Sequence, residues 1–277
     1  HYLGSYVQQL GLDWEQFLEL GRDAKDDTRE TFSMTVFALK LSSKANGVAK
    51  LHGQVCREMW KSVWKNMDTQ DIPIFSITNG VHLETWTSRS MRRLLDKYCK
   101  IEWGKNEDDP TAWAAVQDIP DQELWDCRMM QKKRLIENIK KKIYTAYAKR
   151  GEDPQFIRDT LHALRPDVLV IGFARRFASY KRSTLIFKDK ERLARILDNE
   201  DRPVILLFAG KAHPADSVGK SLIKEIVEIS HSDEFRGKVI FVENYNMGIG
   251  RLLTRGVDVW LNTPHRPHEA SGTSGMK

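Results

Sequence analysis

Apolar positions along the chain change their period about two-thirds of the way through. Near the start, "YVQQLGLDWEQFLELG" sets apolar residues at mixed three- and four-residue spacings, the signature of helix. "SMTVFALKLSSKANGVAKLHGQVCREMWKSVW" continues that character and breaks at Asn46-Gly47, where a helix end or turn is expected. "IPIFSITNG" predicts a short buried strand running into a polar turn. "WTSRSMRRLLDKY" predicts an amphipathic helix capped by Thr87 or Ser88. Residues 102–120 read as a loop-like break, rich in Gly, Pro and acidic residues. A long helix is expected from about Gln122 to Lys149, then a short one from about Gln155 to Leu164.

The last third is different. "DVLVIGFA", "PVILLFAG", "KVIFVEN" and "VDVWLN" are short apolar runs rich in β-branched residues, separated by the helical stretches "STLIFKDKERLARIL", "SLIKEIVEI" and "GIGRLLTRG". Alternating strands and helices predict βαβ units and a parallel sheet buried on both faces. Ligands in such sheets bind beyond the carboxyl ends of the strands. Each strand delivers polar or cationic groups to that rim. Arg175, Arg176, Tyr180 and Lys181 follow the first; Gly210, Lys211 and His213 the second; Glu243, Asn244 and Tyr245 the third. Asn262, Thr263, His265, Arg266 and Glu269 follow the fourth.

Composition narrows the classes only modestly. At 277 residues the length suits about two domains. The formal charge of +6 fits a solvated surface with a lysine surplus, or a site for anions. The basic residues are dispersed and no basic-aromatic module appears, which argues against a nucleic-acid partner. No apolar run approaches the roughly 20 residues of a membrane span, and no membrane partner is expected. Cys56, Cys99 and Cys127 form no CxxC pair, so neither a disulfide framework nor a metal site is expected. The chain opens on His1 and closes inside a motif, which reads as an internal piece of a longer protein.

Two segments carry the chemistry. "ARRFASYKR" sets Arg175, Arg176, Lys181 and Arg182 within eight residues. If it turns from strand into helix, these cations and the helix N-terminus suit one or two phosphates; the plain alternative is a solvated basic face. "EASGTSGMK" sets two glycines and three hydroxyls before Lys277. Its backbone N–H groups can form an anion nest, and Lys277 can serve as a point charge or as an imine-forming amine. Pyridoxal phosphate needs both a cradle and a lysine, whereas the spacing does not fit a P-loop. Glu269 is either a salt-bridged surface acid or an acceptor for sugar hydroxyls.

Four segments, in this order, resemble the α-glucan phosphorylase family: "NGVAKLHGQVCREMW"; "ITNG" followed by "VHLETW"; "GFARRFASYKR"; and "GKAHP" with "FVENYNMGIGRLLTRGVDVWLNTP" and "EASGTSGMK". The pattern is closer to bacterial and archaeal members than to animal ones.

The resemblance implies an α/β, two-domain glycosyltransferase-B-like architecture. Residues 1–80 would be the end of the N-terminal domain, 81–165 a helical connector, and 166–277 part of a C-terminal Rossmann-like parallel sheet. It implies phosphorolysis of terminal α-1,4-linked glucose to α-glucose 1-phosphate with retention. Pyridoxal 5'-phosphate would be held as an imine on Lys277, its phosphate acting as proton relay. Arg175, Tyr245, Thr273 and Ser274 match positions on the cofactor phosphate, and Arg175 replaces a family lysine. Arg176 and Lys181 match the cations on substrate phosphate. Asn79, Tyr180, Glu269, Ser271 and Gly272 match contacts to glucose.

The implied partners are α-1,4-glucan, inorganic phosphate and glucose 1-phosphate, in a cytoplasmic, homo-oligomeric full-length enzyme. The isolated piece is expected to be inactive and to bind the cofactor poorly. The alternatives are a sugar-nucleotide-dependent glucan synthase and a non-catalytic carbohydrate-binding protein. His52, His82 and His162 are read as packing or surface groups, and most of the tryptophans as packing.

Overall fold

The computed structural model describes residues 4–23 and 31–277, which fall into two compact units. The first holds residues 1–80 and 270–272, the second residues 81–269 and 273–277.

The first unit contains helices α1 (Gly4–Gln9), α2 (Trp14–Leu20) and α3 (Met34–Leu41), strand β1 (Ala45–Gly47), α4 (Lys50–Met59) and β2 (Ile74–Ser76). Asp13 and Gln16 cap α2 reciprocally, and Ser33 caps α3. Asn46-Gly47, expected to end a helix or make a turn, instead lies in β1, which pairs in parallel with β2. The reason is tertiary. A Cβ on Gly47 would sit 2.6 Å from Gly53 Cα, so only glycine lets the strand lie this close to α4. His52 Nδ1 accepts from Val48 N–H at 3.0 Å, a local structural role.

The second unit begins with α5 (Leu83–Trp86), α6 (Arg89–Tyr98), α7 (Asp121–Arg150) and α8 (Pro154–Ala163). It continues as β3 (Leu169–Ala174), α9 (Lys190–Leu197), β4 (Val204–Ala209), α10 (Ser217–His231), β5 (Val239–Val242), α11 (Met247–Gly256), β6 (Val259–Trp260) and α12 (Thr273–Met276). Ser88 caps α6, and His82 accepts from Thr85 N–H at the start of α5. Residues 102–120, expected to be a loop, include a 3-10 turn over Pro110–Asp118. Ala112 and Ile119 from this stretch bury against Leu94, Leu95 and Cys127, so packing on α6 and α7 orders it.

The sheet is parallel throughout, in the order β5-β4-β3-β6. Its side chains divide with period two. Ile205, Leu207, Ala209, Ile240 and Val242 face a core shared with α7, α8 and α11. Leu206, Phe208, Val239 and Phe241 face the core under α9 and α10. Burial on both faces is why these strands read as continuous apolar runs. Helices α7 and α11 cross closely at Gly256, where an added Cβ would fall 2.5 Å from Leu135 Cβ. Among the described residues, no helix is long and apolar enough to cross a membrane.

Candidate functional site

A connected polar cluster of the second unit lies beyond the carboxyl ends of β3 and β6. Neighbouring strands deliver it. Leu261 N–H donates to Gly172 O at 2.8 Å, and the two strand exits are then stitched together. His265 N–H donates to Tyr180 O at 2.7 Å, Arg182 Nε to Thr263 O at 2.7 Å, and Thr263 Oγ1 to Lys181 O at 3.2 Å. Residues some 80 positions apart in sequence thereby form one wall.

After β3 the chain does not turn directly into an α-helix, the condition on which a helix N-terminus would have joined the cations; α9 begins only at Lys190. The chain makes short 3-10 turns at Ser179–Lys181 and Leu185–Phe187, with Arg182 in the left-handed region at φ 51°. The cations are therefore organised by side-chain partners, not by a helix N-terminus. Arg175 Nη2 donates to Glu269 Oε2 at 2.8 Å, and Lys181 Nζ donates to the same oxygen. Arg175 Nη1 donates to Asn262 Oδ1. The three charged side chains keep 5%, 9% and 17% of their area exposed, in the order Arg175, Lys181, Glu269. Two buried cations against one carboxylate leave a net positive charge in a partly dry site, where an anion is bound more strongly than in water.

Main-chain geometry fixes Arg175. Its N–H donates to Ala209 O at 3.2 Å, and Phe177 N–H continues to Lys211 O at 2.9 Å. Phe177 is fully buried, 5.9 Å centroid to centroid from both Phe173 and Phe241. Between these bonds Gly210 adopts φ 151°, and a Cβ there would collide with the Arg175 carbonyl oxygen.

Arg176 is exposed, and its Nη2 donates to the Tyr180 hydroxyl at 3.3 Å. Lys181 Nζ also lies 4.8 Å from the Tyr180 ring centroid. Arg175, Arg176, Tyr180, Lys181 and Glu269 therefore form one connected set. Tyr245 is joined to it by no hydrogen bond among the described residues. Its hydroxyl instead approaches α11, 2.8 Å from where a Cβ on Gly250 would be, and burial raises its pKa. Asn79, Ser271 and Gly272 belong to the first unit, where Asn79 N–H donates to Val48 O at 3.0 Å.

Lys277 carries a second local environment. Its Nζ rests 3.7 Å from the centroid of the Trp86 ring, and desolvation there holds its pKa below the ordinary lysine value. A depressed pKa leaves more of the amine neutral and nucleophilic at a given pH. Trp86 is in turn held by Arg255. That guanidinium donates to the carbonyls of Thr85 at 2.7 Å, Trp86 at 2.8 Å and Thr87 at 3.0 Å, closing the C-terminal end of α5. Arg128 on α7 braces the end of α11 by donating to Arg255 O and Val257 O, both at 2.7 Å.

Two residues that sequence reading passed over thus enter the site. Trp86 was not singled out among the tryptophans, most of which were read as packing, although it lies within "VHLETW". Asn262 was visible as a rim residue without a role. Its Oδ1 accepts from Arg175, and its Nδ2 lies against Gly275, 3.1 Å from where a Cβ there would be, in the turn before Lys277.

The residues fit a phosphate-bearing aldehyde cofactor. Ser274 Oγ is shut away from solvent and has no hydrogen-bond partner among the described residues. It lies three residues before an amine of lowered pKa, in a turn against which the Arg175-bound Asn262 packs.

Comparison with known proteins defines the class. The carbohydrate phosphorylase model matches residues 22–277, and the chain belongs to that family. It is 44% identical over 267 residues to maltodextrin phosphorylase of Thermococcus litoralis, covering 96% of this chain and 31% of the relative. It is 42% identical to glycogen phosphorylase of Aquifex aeolicus, over 96% of this chain and 38% of the relative. It is 39% identical to glycogen phosphorylase of Mycobacterium bovis, over 96% and 30% respectively. The chain thus spans about a third of the length of these curated relatives. Its helices and parallel sheet make up part of a glycosyltransferase-B-like phosphorylase fold.

Proposed function

We propose that this chain carries the phosphate- and cofactor-binding part of an α-1,4-glucan phosphorylase. In the proposed reaction an oxygen of inorganic phosphate bonds to C1 of the terminal glucose. The C1–O4 bond breaks, a proton passes to the departing O4, and α-glucose 1-phosphate forms with retention. Arg176 and Lys181 bind the substrate phosphate. Arg175, Tyr245, Thr273 and Ser274 serve the cofactor phosphate, and Lys277 is the covalent anchor. Asn79, Tyr180, Glu269, Ser271 and Gly272 engage glucose hydroxyls. Pyridoxal phosphate, when bound, supplies a phosphate group able to exchange a proton with the substrate phosphate.

The observation that carries this reading is Glu269 bridging Arg175 and Lys181 in a chain whose relatives are named phosphorylases. Glu269 is an internal anion standing between two cations. A phosphate arriving at Lys181 would compete with it, freeing the carboxylate to accept from sugar hydroxyls. Two phosphate groups at close range repel; each pair of unit charges at ~4 Å costs about 4 kcal/mol at an effective dielectric of 20. Arginine and lysine beside them offset that repulsion, and the same charges suit the transition state as the glycosidic oxygen departs. Trp86 keeps the Lys277 amine partly desolvated and oriented.

The test is glucose 1-phosphate release from maltodextrin and inorganic phosphate by the full-length protein. Lys181→Ala should lower kcat/KM for phosphate at least about 100-fold, the scale of a lost charge-assisted contact in a dry site, and Arg176→Ala, whose side chain is exposed, should lower it in the same direction by a smaller factor. Glucosyl transfer from a sugar nucleotide, with no phosphorolysis, would instead identify a glucan synthase.

A further inference from the structure

Arg255, within "GIGRLLTRG", takes no part in the reaction proposed above. It sits half-buried on the last turn of α11 and sends its guanidinium to the end of α5, in "VHLETW". Its Nη2 donates to Thr85 O at 2.7 Å and to Thr87 O at 3.0 Å, and its Nε donates to Trp86 O at 2.8 Å. One planar fork thus holds three successive carbonyls, a task for which a lysine lacks the geometry. Among the described residues Arg255 has no carboxylate partner, so these carbonyls are what its donors serve.

Closing a short helix accounts for part of this, since the last carbonyls of a helix lack intrahelical partners. It does not account for the stiffness behind the guanidinium. Arg128 pins the main chain on both sides of Gly256 by donating to Arg255 O and Val257 O. One turn further along α7, the buried Lys132 donates to the Asp258 carboxylate, which also accepts from Val170 N–H at 2.8 Å. Gly256 lies too close to Leu135 to admit a Cβ. Arg255 therefore rises from a fixed base. At the far end stands Trp86, the buried residue of α5, with Lys277 Nζ 3.7 Å from its ring centroid. A path of direct contacts runs from α7 through α11 and α5 to the amine, all within the second unit.

We infer that Arg255 is a positioning residue for the Lys277 amine: by fixing the main chain of Thr85, Trp86 and Thr87 it holds the Trp86 ring against that amine. Its guanidinium acts only through Trp86. The inference rests on the proposed function for what the amine does, which is to take up an aldehyde, and not for the contact itself. Without the guanidinium the carbonyls at the end of α5 turn to water and Trp86 loses its fixed place. The amine then gains solvent, which relieves the desolvation that now lowers its pKa.

Acetylation of the full-length, cofactor-free protein with acetic anhydride across pH, read by peptide mass mapping, titrates Lys277 individually. The midpoint should lie higher in Arg255→Ala than in the parent protein. Arg255→Lys should fall between them, because it keeps the charge but cannot span three carbonyls. The pyridoxal phosphate concentration that half-saturates Lys277, measured by borohydride trapping, should rise at least about 10-fold in Arg255→Ala, as expected for a displaced reacting group. Leu193→Ala, in the core under α9, controls for a general loss of stability and should leave the Lys277 midpoint at the parent's value. An unmoved midpoint in Arg255→Ala would overturn the inference, as would an equal shift in Leu193→Ala. Should Arg255→Ala not fold, the midpoint of Arg255→Lys decides by the same comparison. Absence of a pyridoxyl adduct on Lys277 of the parent would instead overturn the proposed function, and the acetylation midpoints would still decide the role of Arg255.

Discussion

Glu269→Gln perturbs the cluster at its centre. The substitution keeps the shape of the side chain but removes the charge that Arg175 and Lys181 share. These two side chains are only 5% and 9% exposed, so water cannot fully replace the lost partner. Breaking a buried pair by deleting one member costs about 3–5 kcal/mol. Glu269 retains 17% exposure and an amide oxygen can still accept one bond, which places the expected cost near the lower end, about 3 kcal/mol. Every 1.4 kcal/mol is tenfold in an equilibrium, so local opening should become about 100-fold more frequent.

Native-state hydrogen exchange on the full-length protein reads this directly. The useful amides are those of Arg175, Phe177 and Arg182, which donate to Ala209 O, Lys211 O and Ser179 O. All three should exchange about 100-fold faster in the variant under conditions that report the opening equilibrium. Inorganic phosphate at about 100 times its Kd should restore most of the protection, since a ligand at that excess stabilises by about 2.7 kcal/mol. Exchange within about threefold of the parent, or protection indifferent to phosphate, would refute the assignment of Glu269 as the internal counter-ion of an anion site.

Two further consequences follow from individual residues. Gly210→Ala should lower stability by about 1–3 kcal/mol, because the new Cβ would meet the Arg175 carbonyl and lie 2.9 Å from Phe177 Cε2. Thermal unfolding should show the loss, and phosphate should protect the Arg175–Arg182 segment less well. Tyr147 is buried, and desolvation pushes its pKa up to about 12 from 10.0. The folded protein therefore keeps a proton that the unfolded chain releases, so this contribution is lost as pH rises from 10 through about 12. Urea unfolding across that window should fall about 2–3 kcal/mol more steeply in the parent than in Tyr147→Phe. Parallel curves would show that Tyr147 is not the group responsible.

Much of this architecture is legible along the chain, for a definite reason. A parallel sheet covered on both faces needs apolar side chains at nearly every position, so β3, β4 and β5 announce themselves as short unbroken runs. The same alternation with helices points to the strand ends, where Arg175, Lys181 and Glu269 meet. What stays hidden depends on contacts between distant segments. The strand at Asn46-Gly47 exists because β2 pairs with it, while the local signal is only that of a turn. The helix expected over "STLIFKDKERLARIL" begins only at Lys190, because short turns at Ser179–Lys181 and Leu185–Phe187 come first. Trp86 looks like any packing tryptophan until Lys277, far along the chain, is placed on its ring. Asn262 has no local mark at all; its place in the cluster comes from Arg175, 87 residues earlier, which donates to its Oδ1.

Under the proposed function Lys277 anchors a pyridoxal group beside the Arg175–Lys181–Glu269 cluster. Borohydride reduction of the full-length protein loaded with pyridoxal phosphate, followed by peptide mass mapping, addresses that claim most directly. One pyridoxyl adduct per chain is expected, on Lys277, and none in Lys277→Ala. An adduct on another lysine, or full phosphorolytic activity in Lys277→Ala, would contradict it.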